Sequence, residues 1–164
     1  IQQKRSKAED YYVAGFSAGG HLASLWGTAA LGAPKYGLPL PKGLLLGYPL
    51  ISLTHIPEPL NSYFRKGLFG ASFESETADL YNAAGQMTQA YPPFYLVRAA
   101  DDTTVSPQDS EDMETAARRC KVPHKMETAS AGGHGFGPGT GTPLAGWLKR
   151  GMAFLDTTED TAAK

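Results

Sequence analysis

Short, almost wholly apolar runs alternate along the chain with longer stretches whose apolar residues recur at helical spacing. The apolar runs are bounded by turn residues and predict buried strands at 11–14, 43–48 and 93–98. The amphipathic stretches predict helices at 19–30, 107–120 and 143–155. Strands that are apolar on both faces are typical of a covered parallel sheet. The alternation therefore predicts an α/β fold, a mostly parallel sheet with helices on both faces.

The region at about 51–91 does not follow this alternation. Its prolines and glycines interrupt short helical pieces, among them Pro57, Pro59, Gly67 and Gly70. We expect it to form a small insertion outside the sheet, within a single domain that includes all of 1–164.

Composition narrows the classes of partner. The 164 residues include 15 Lys+Arg and 16 Asp+Glu, and the net charge of -1 gives no electrostatic reason to expect nucleic acid or an anionic membrane. The apolar run at 43–53 is well short of the roughly 20 residues that span a bilayer. The single cysteine, Cys120, lacks neighbours at metal-ligand spacing, and no nucleotide or flavin motif is visible, so we expect no metal and no cofactor. The compartment stays open, with the cytoplasm as the default and secretion as the alternative.

An apolar strand, the sequence G-F-S-A-G at 15–19 and a helical pattern follow one another near the start of the chain. A sharp strand-to-helix turn of this G-x-S-x-G type lifts a serine hydroxyl above a sheet, which makes Ser17 the candidate nucleophile. The N–H of Ala18 would then lie at a helix N-terminus, where it can face an oxyanion. Phe16 and His21 are candidates to line the pocket or support the nucleophile, although His21 also suits a half-buried helix position.

The two other residue types that an activated serine needs follow downstream. The predicted strand 93–98 leads into a loop with Asp101 and Asp102, and catalytic groups gather at the carboxyl ends of parallel strands. His134 lies in a glycine-rich loop before the last predicted helix and is the candidate base. The alternatives are that both aspartates cap a turn or a helix and that His134 is a solvated loop histidine.

The sequence resembles the α/β-hydrolase superfamily and, within it, the small carboxylesterases that include acetyl-xylan-esterase-like and feruloyl-esterase-like enzymes. The likeness spans nearly the whole chain and rests on the segments 15–23, 47–52, 92–94, 100–105 and 133–137. It implies that Ser17 is the nucleophile and His134 the base. It also implies that Asp102, three residues before Val105 in a D-x-x-V pattern, is the acid, with Asp101 as the fallback.

The resemblance also implies that part of the fold lies outside this chain. Members of the fold have about four strands and an H-G-G-G-type oxyanion loop before the nucleophile strand, whereas only 16 residues precede Ser17 here. We therefore expect the chain to be the C-terminal portion of the domain, with the first strands missing. The nucleophile strand would then have an unpaired edge, which an N-terminal segment or a second chain would complete. Ala18 would be the one oxyanion donor present.

The function that the resemblance implies is hydrolysis of carboxylic esters through an acyl-enzyme. A short acyl group is expected, on a small molecule or an acetylated carbohydrate. Two alternatives stay open: a member that cleaves amides or peptides, since the triad itself does not choose between them, and a non-catalytic half-domain that acts as a binding module.

Overall fold

The computed structural model describes residues 11–56, 58, 61–62, 66–67, 70 and 75–162. The described strands are β1 (Tyr12–Phe16), β2 (Gly43–Gly47), β3 (Phe94–Ala99) and β4 (His124–Ala129). The α-helices whose bounds are defined are α1 (Ala18–Trp26), α2 (Ser75–Leu80), α3 (Pro107–Cys120) and α4 (Trp147–Ala162). Short 3₁₀ helices lie at Ala33–Tyr36 and Leu53–His55.

The strands form one parallel sheet in the order β1-β2-β3-β4. Alternate strand residues face opposite sides, as the two-residue period of a strand requires. Leu44, Leu46 and Leu96 face a core completed by α1 and α3, whereas Leu45 and Val97 face a second core completed by α4. The predicted α/β fold, with a mostly parallel sheet and helices on both faces, is confirmed.

The fourth strand is the element that the hydrophobic pattern does not predict. β4 has the sequence HKMETA, in which only Ala129 is buried. Among the described strands it lies at the edge of the sheet, where its polar side chains reach solvent, so it lacks the apolar run that identifies β2 and β3. The helix bounds lie closer to those that the sequence predicts. The bounds of α3 are as predicted, and α1 ends earlier, at Trp26. Helix α4 begins later, at Trp147, after Gly146, whose φ is 77°.

The chain between β2 and β3 contains no strand in its described part. That part holds the Leu53–His55 turn of 3₁₀ helix, α2 and a series of turns up to Tyr91. The rest of the predicted insertion, at 57, 59–60, 63–65, 68–69 and 71–74, lies outside the described residues. That 51–91 is an insertion in a single domain stays a prediction.

Asp109, in the first turn of α3, is fully buried, with no solvent exposure. Its Oδ1 accepts hydrogen bonds from the N–H groups of Ile51 (2.8 Å) and Ser52 (2.7 Å). Burial raises the pKa of the Asp109 carboxyl, and the two N–H donors and nearby His55 oppose that shift. The carboxylate thus holds the segment after β2 against α3, close to the carboxyl edge of the sheet.

This arrangement predicts a large difference between two replacements of Asp109. Asp109→Ala leaves two N–H donors without an acceptor and should lower the free energy of unfolding by about 2–5 kcal/mol. Asp109→Asn keeps an acceptor oxygen and removes a buried charge, so it should stay within about 1 kcal/mol of the wild type. Urea denaturation of the three proteins measures both values. Equal losses in the two variants would contradict the role assigned to Oδ1.

Candidate active site

The serine turn lies between β1 and α1. Ser17 has a φ of 52°, a conformation rare for residues with a Cβ, and it is the N-cap residue of α1. Its N–H donates to the carbonyl oxygen of Gly47 (3.0 Å), and its own carbonyl accepts from Leu50 N (3.1 Å). A Cβ at Gly15 would lie 2.2 Å from the carbonyl oxygen of Gly19, so glycine is required at 15. Space does not require glycine at 19, because a Cβ there would meet nothing within 4 Å.

The structure brings Ser17, His134 and Asp102 together, although they are far apart in the sequence. Ser17 Oγ lies 2.8 Å from His134 Nε2, and His134 Nδ1 lies 2.8 Å from Asp102 Oδ2. A carboxylate can only accept, so Nδ1 carries the proton and Nε2 is left to accept from the serine hydroxyl. The Asp102 side chain is 6% exposed and that of His134 is 21% exposed. The arrangement is one in which a histidine can take a proton from a serine.

Asp102 is held in place by the turn that it begins. Its Oδ1 accepts from the N–H groups of Thr104 (2.8 Å) and Val105 (3.1 Å), which leaves Oδ2 for His134. Asp102 therefore does cap a turn, as one alternative proposed. The cap uses only Oδ1, and Oδ2 accepts the hydrogen bond from the imidazole. The two bonds to Oδ1 therefore fix the orientation of the carboxylate independently of the bond between Oδ2 and the histidine.

Asp101 contacts the histidine loop at a different point. Its carboxylate accepts from Gly133 N (2.8 Å) and Gly132 N (3.3 Å), and it has no hydrogen bond to the His134 ring. The Gly133 bond is the main reason that the pKa of this exposed carboxyl is lowered. The structure thus brings Asp102 to the imidazole and leaves Asp101 to hold the backbone just before it.

Ala18 and His21 lie on α1, beyond the serine. Ala18 is the first residue of the helix, so its N–H has no acceptor within the helix. His21 Nε2 donates to the carbonyl oxygen of Tyr81 (2.8 Å), which ties α1 to the segment between α2 and β3. His21 therefore links α1 to the predicted insertion, whereas the bond of the serine hydroxyl is to His134.

Burial lowers the pKa of the His21 imidazole below its ordinary 6.5, against the opposing effects of the Tyr81 carbonyl and the Asp109 charge. The unfolded chain then binds this proton more readily than the folded one, so His21 makes stability fall as the pH drops below about 6.5. His21→Gln keeps a donor at the Nε2 position without a titrating group. It should lose less unfolding free energy than the wild type between about pH 7 and about pH 5. Urea denaturation at both pH values tests this, and identical losses would contradict it.

Phe16 directly precedes the serine. Its ring packs against two other aromatic rings, with its centroid 6.0 Å from that of Tyr48 and 5.8 Å from that of Trp147. With neighbours from β1 and α1 it also lines an apolar groove of about 520 Å³. The groove runs along the edge of β1, which pairs only with β2 among the described strands. Leu22 is 69% exposed beside it.

Among the described residues, no cluster of three or more His, Cys, Asp or Glu side chains could hold a metal ion. Within the same ranges, no helix is long and apolar enough to cross a membrane.

The chain matches no protein-family model, and no curated protein matches its sequence. Solved structures do match. An acetyl ester-xyloside bifunctional hydrolase from Caldicellulosiruptor lactoaceticus has a TM-score of 0.70 and 25% identity, over 92% of this chain and 56% of its own. The carboxylesterase Cest-2923 from Lactobacillus plantarum has a TM-score of 0.65 and 27% identity, over 82% of this chain and 50% of its own.

A third match, at a TM-score of 0.62 and 21% identity, is the α/β-hydrolase MGS-M1 from a Medee basin deep-sea metagenome library. It covers 91% of this chain and 54% of its own length. The chain has the α/β-hydrolase fold. The expected fold and the resemblance to esterases of this superfamily are both confirmed. The chain spans about half the length of these three structures.

Proposed function

We propose that this chain carries the nucleophile, base and acid of a carboxylic ester hydrolase that works through an acyl-enzyme. The observation that supports it most directly is the continuous hydrogen-bonded series from Ser17 Oγ through His134 to Asp102 Oδ2, with both distances at 2.8 Å. The esterases among the structural matches support ester hydrolysis in general.

In the proposed first half-reaction, Ser17 Oγ attacks the ester carbonyl carbon while His134 Nε2 takes the hydroxyl proton. The carbonyl oxygen becomes an oxyanion that faces the Ala18 N–H at the start of α1. Collapse of this intermediate breaks the bond to the alcohol, which leaves with the proton from Nε2. The acyl group stays on Ser17 as an ester.

In the second half-reaction, His134 Nε2 takes a proton from water, and the resulting hydroxide attacks the acyl carbon. The carboxylic acid leaves, and Ser17 recovers its proton from Nε2. Throughout both steps Asp102 holds the imidazole with its proton on Nδ1 and stabilises the cation that forms. Neither half-reaction requires an oxidant, a metal or a cofactor.

The substrate class we propose is a short acyl ester, such as an acetylated carbohydrate. The match to a protein named as an acetyl ester-xyloside hydrolase supports this class. The proposal includes a second oxyanion donor and a neighbour for the β1 edge, supplied by an N-terminal segment or a second chain. The apolar groove along β1 and the exposed Leu22 support that completion.

Matched substrates test the proposal. The purified chain should hydrolyse p-nitrophenyl acetate and should not measurably cleave p-nitroacetanilide, which carries the same acyl group on an amide nitrogen. The Asp101→Asn variant serves as a folded control, and Ser17→Ala should lower kcat for the ester by about 10⁴-fold or more. Cleavage of the anilide that is lost in Ser17→Ala would favour the amide-cleaving alternative. Equal ester rates for the wild type and Ser17→Ala would favour the non-catalytic binding module.

A further inference from the structure

Tyr48 directly follows β2 and has a φ of 36°, which is disfavoured for a residue with a Cβ. Its N–H still donates to the carbonyl oxygen of Val97 (2.7 Å), so the pairing with β3 continues one residue past the end of β2. The side chain is 5% exposed. Its surroundings therefore hold an unfavourable backbone conformation in place at the edge of the sheet where Ser17 lies.

The phenol ring of Tyr48 packs against the loop that carries His134. Its centroid lies 4.8 Å from the imidazole of His134 and 4.5 Å from the ring of Phe136, both in edge-to-face geometry. Its hydroxyl oxygen accepts a hydrogen bond from Gly137 N (3.0 Å). One side chain thus contacts the histidine itself and the backbone three residues beyond it.

The histidine loop has few other means of holding its shape. Positive φ angles occur at Gly132, Gly133, Gly135 and Gly137, so its backbone is built from residues with wide conformational freedom. Asp101 binds the part before His134, as described above. After His134, the loop is held by the Tyr48 hydroxyl and by the indole of Trp147, whose Nε1 donates to the carbonyl oxygen of Gly137 (2.9 Å). A bond within the loop, from Gly139 N to the carbonyl oxygen of Phe136 (2.9 Å), adds to these.

The segment that carries Tyr48 is also bonded to the serine turn on both sides. The carbonyl oxygen of Gly47 accepts from Ser17 N (3.0 Å), and Leu50 N donates to the carbonyl oxygen of Ser17 (3.1 Å). Segment 47–50 therefore contacts the nucleophile turn through its backbone and the histidine loop through the Tyr48 side chain. A shift of Tyr48 would change the separation of Ser17 Oγ and His134 Nε2.

We propose that Tyr48 is a positioning residue, which sets the distance from His134 Nε2 to Ser17 Oγ by fixing the histidine loop against the serine turn. The inference rests on the proposed function, because positioning matters for the reaction only if Ser17 and His134 perform it. Tyr48 contacts neither the reacting carbonyl nor the leaving group in this account, and it acts through His134.

Tyr48→Phe keeps the packed ring and removes only the acceptor for Gly137 N. We expect kcat for p-nitrophenyl acetate to fall about tenfold while KM changes less than about twofold, as for an interaction that aligns reacting groups. The matched control is Tyr95→Phe, which removes the bond from another core tyrosine to Glu127 Oε2 (2.5 Å), away from the loop. Tyr95→Phe should leave kcat unchanged.

Two readouts separate positioning from a general loss of stability. In a His134→Ala background, Tyr48→Phe should have no further effect on the residual rate, because its effect passes through His134. In proton NMR, the downfield Nδ1–H signal of the His134–Asp102 bond should be retained in Tyr95→Phe and broadened or lost in Tyr48→Phe.

If the wild type hydrolyses the ester and Tyr48→Phe has the same kcat and the same Nδ1–H signal, the positioning role is overturned and the proposed function stands. If kcat falls equally in the presence and absence of His134, Tyr48 acts by another route and the inference is also overturned. If the wild type shows no hydrolysis, the proposed function fails. The NMR signal then decides alone: an unchanged signal in Tyr48→Phe rejects the inference, and its loss supports the contact with His134.

Discussion

Replacing Asp102 by Asn is expected to lower kcat for ester hydrolysis by about 10³–10⁴-fold, with a small change in KM. Asp102 Oδ2 accepts from His134 Nδ1, while Oδ1 is held by Thr104 N and Val105 N. An asparagine that keeps its oxygen on those two donors would present its amide NH₂ to the imidazole. The ring would then place its proton on Nε2, where it could no longer accept from Ser17.

The neighbouring carboxylate provides the matched control. Asp101→Asn removes the same charge one residue away but keeps an oxygen that can accept from Gly133 N, so kcat should fall less than about tenfold. Steady-state kinetics of both variants with one short acyl ester measures the difference. Similar losses in the two variants, or a larger loss in Asp101→Asn, would contradict the assignment of Asp102 as the acid.

A second large loss of kcat is expected when Ser17 or His134 is replaced. Ser17→Ala removes the attacking oxygen and His134→Ala removes the base, and each change should lower kcat by about 10⁴-fold or more. Because the two groups act in one step, the double variant should be no slower than the slower single variant. Single-turnover kinetics of all three proteins tests this, with Tyr95→Phe as a folded control outside the site. Multiplicative losses in the double variant would show that the residues act independently.

Much of the fold is visible in the sequence because the two central strands, β2 and β3, are buried on both faces. β2 and β3 are apolar runs between turn residues, and the G-x-S-x-G turn fixes where β1 meets α1. β4 is missed because, as an edge strand, it alternates polar residues with partly buried ones and has no apolar run.

The sequence predicts which residue types form the site more reliably than it predicts which of those residues contact one another. The chain order of serine, aspartate and histidine suggests a shared site, but two adjacent aspartates differ only in which way the turn directs them. Tyr48 lies in a segment that resembles the family, yet its contact with a loop 89 residues away exists only in the folded chain. From the sequence, Asp109 is expected to be an ordinary polar residue in the first turn of a helix. Its burial beneath the segment after β2 is visible only in the folded chain.

Covalent labelling shows whether Ser17 is activated, because an organophosphonate reacts with a serine that a neighbouring base activates. The purified chain is treated with the reagent, its intact mass is measured, and the modified residue is located by peptide mapping. We expect one adduct, on Ser17, that is absent in Ser17→Ala and much slower to form in His134→Ala. An unmodified chain, or an adduct on another residue that persists in Ser17→Ala, would contradict this expectation.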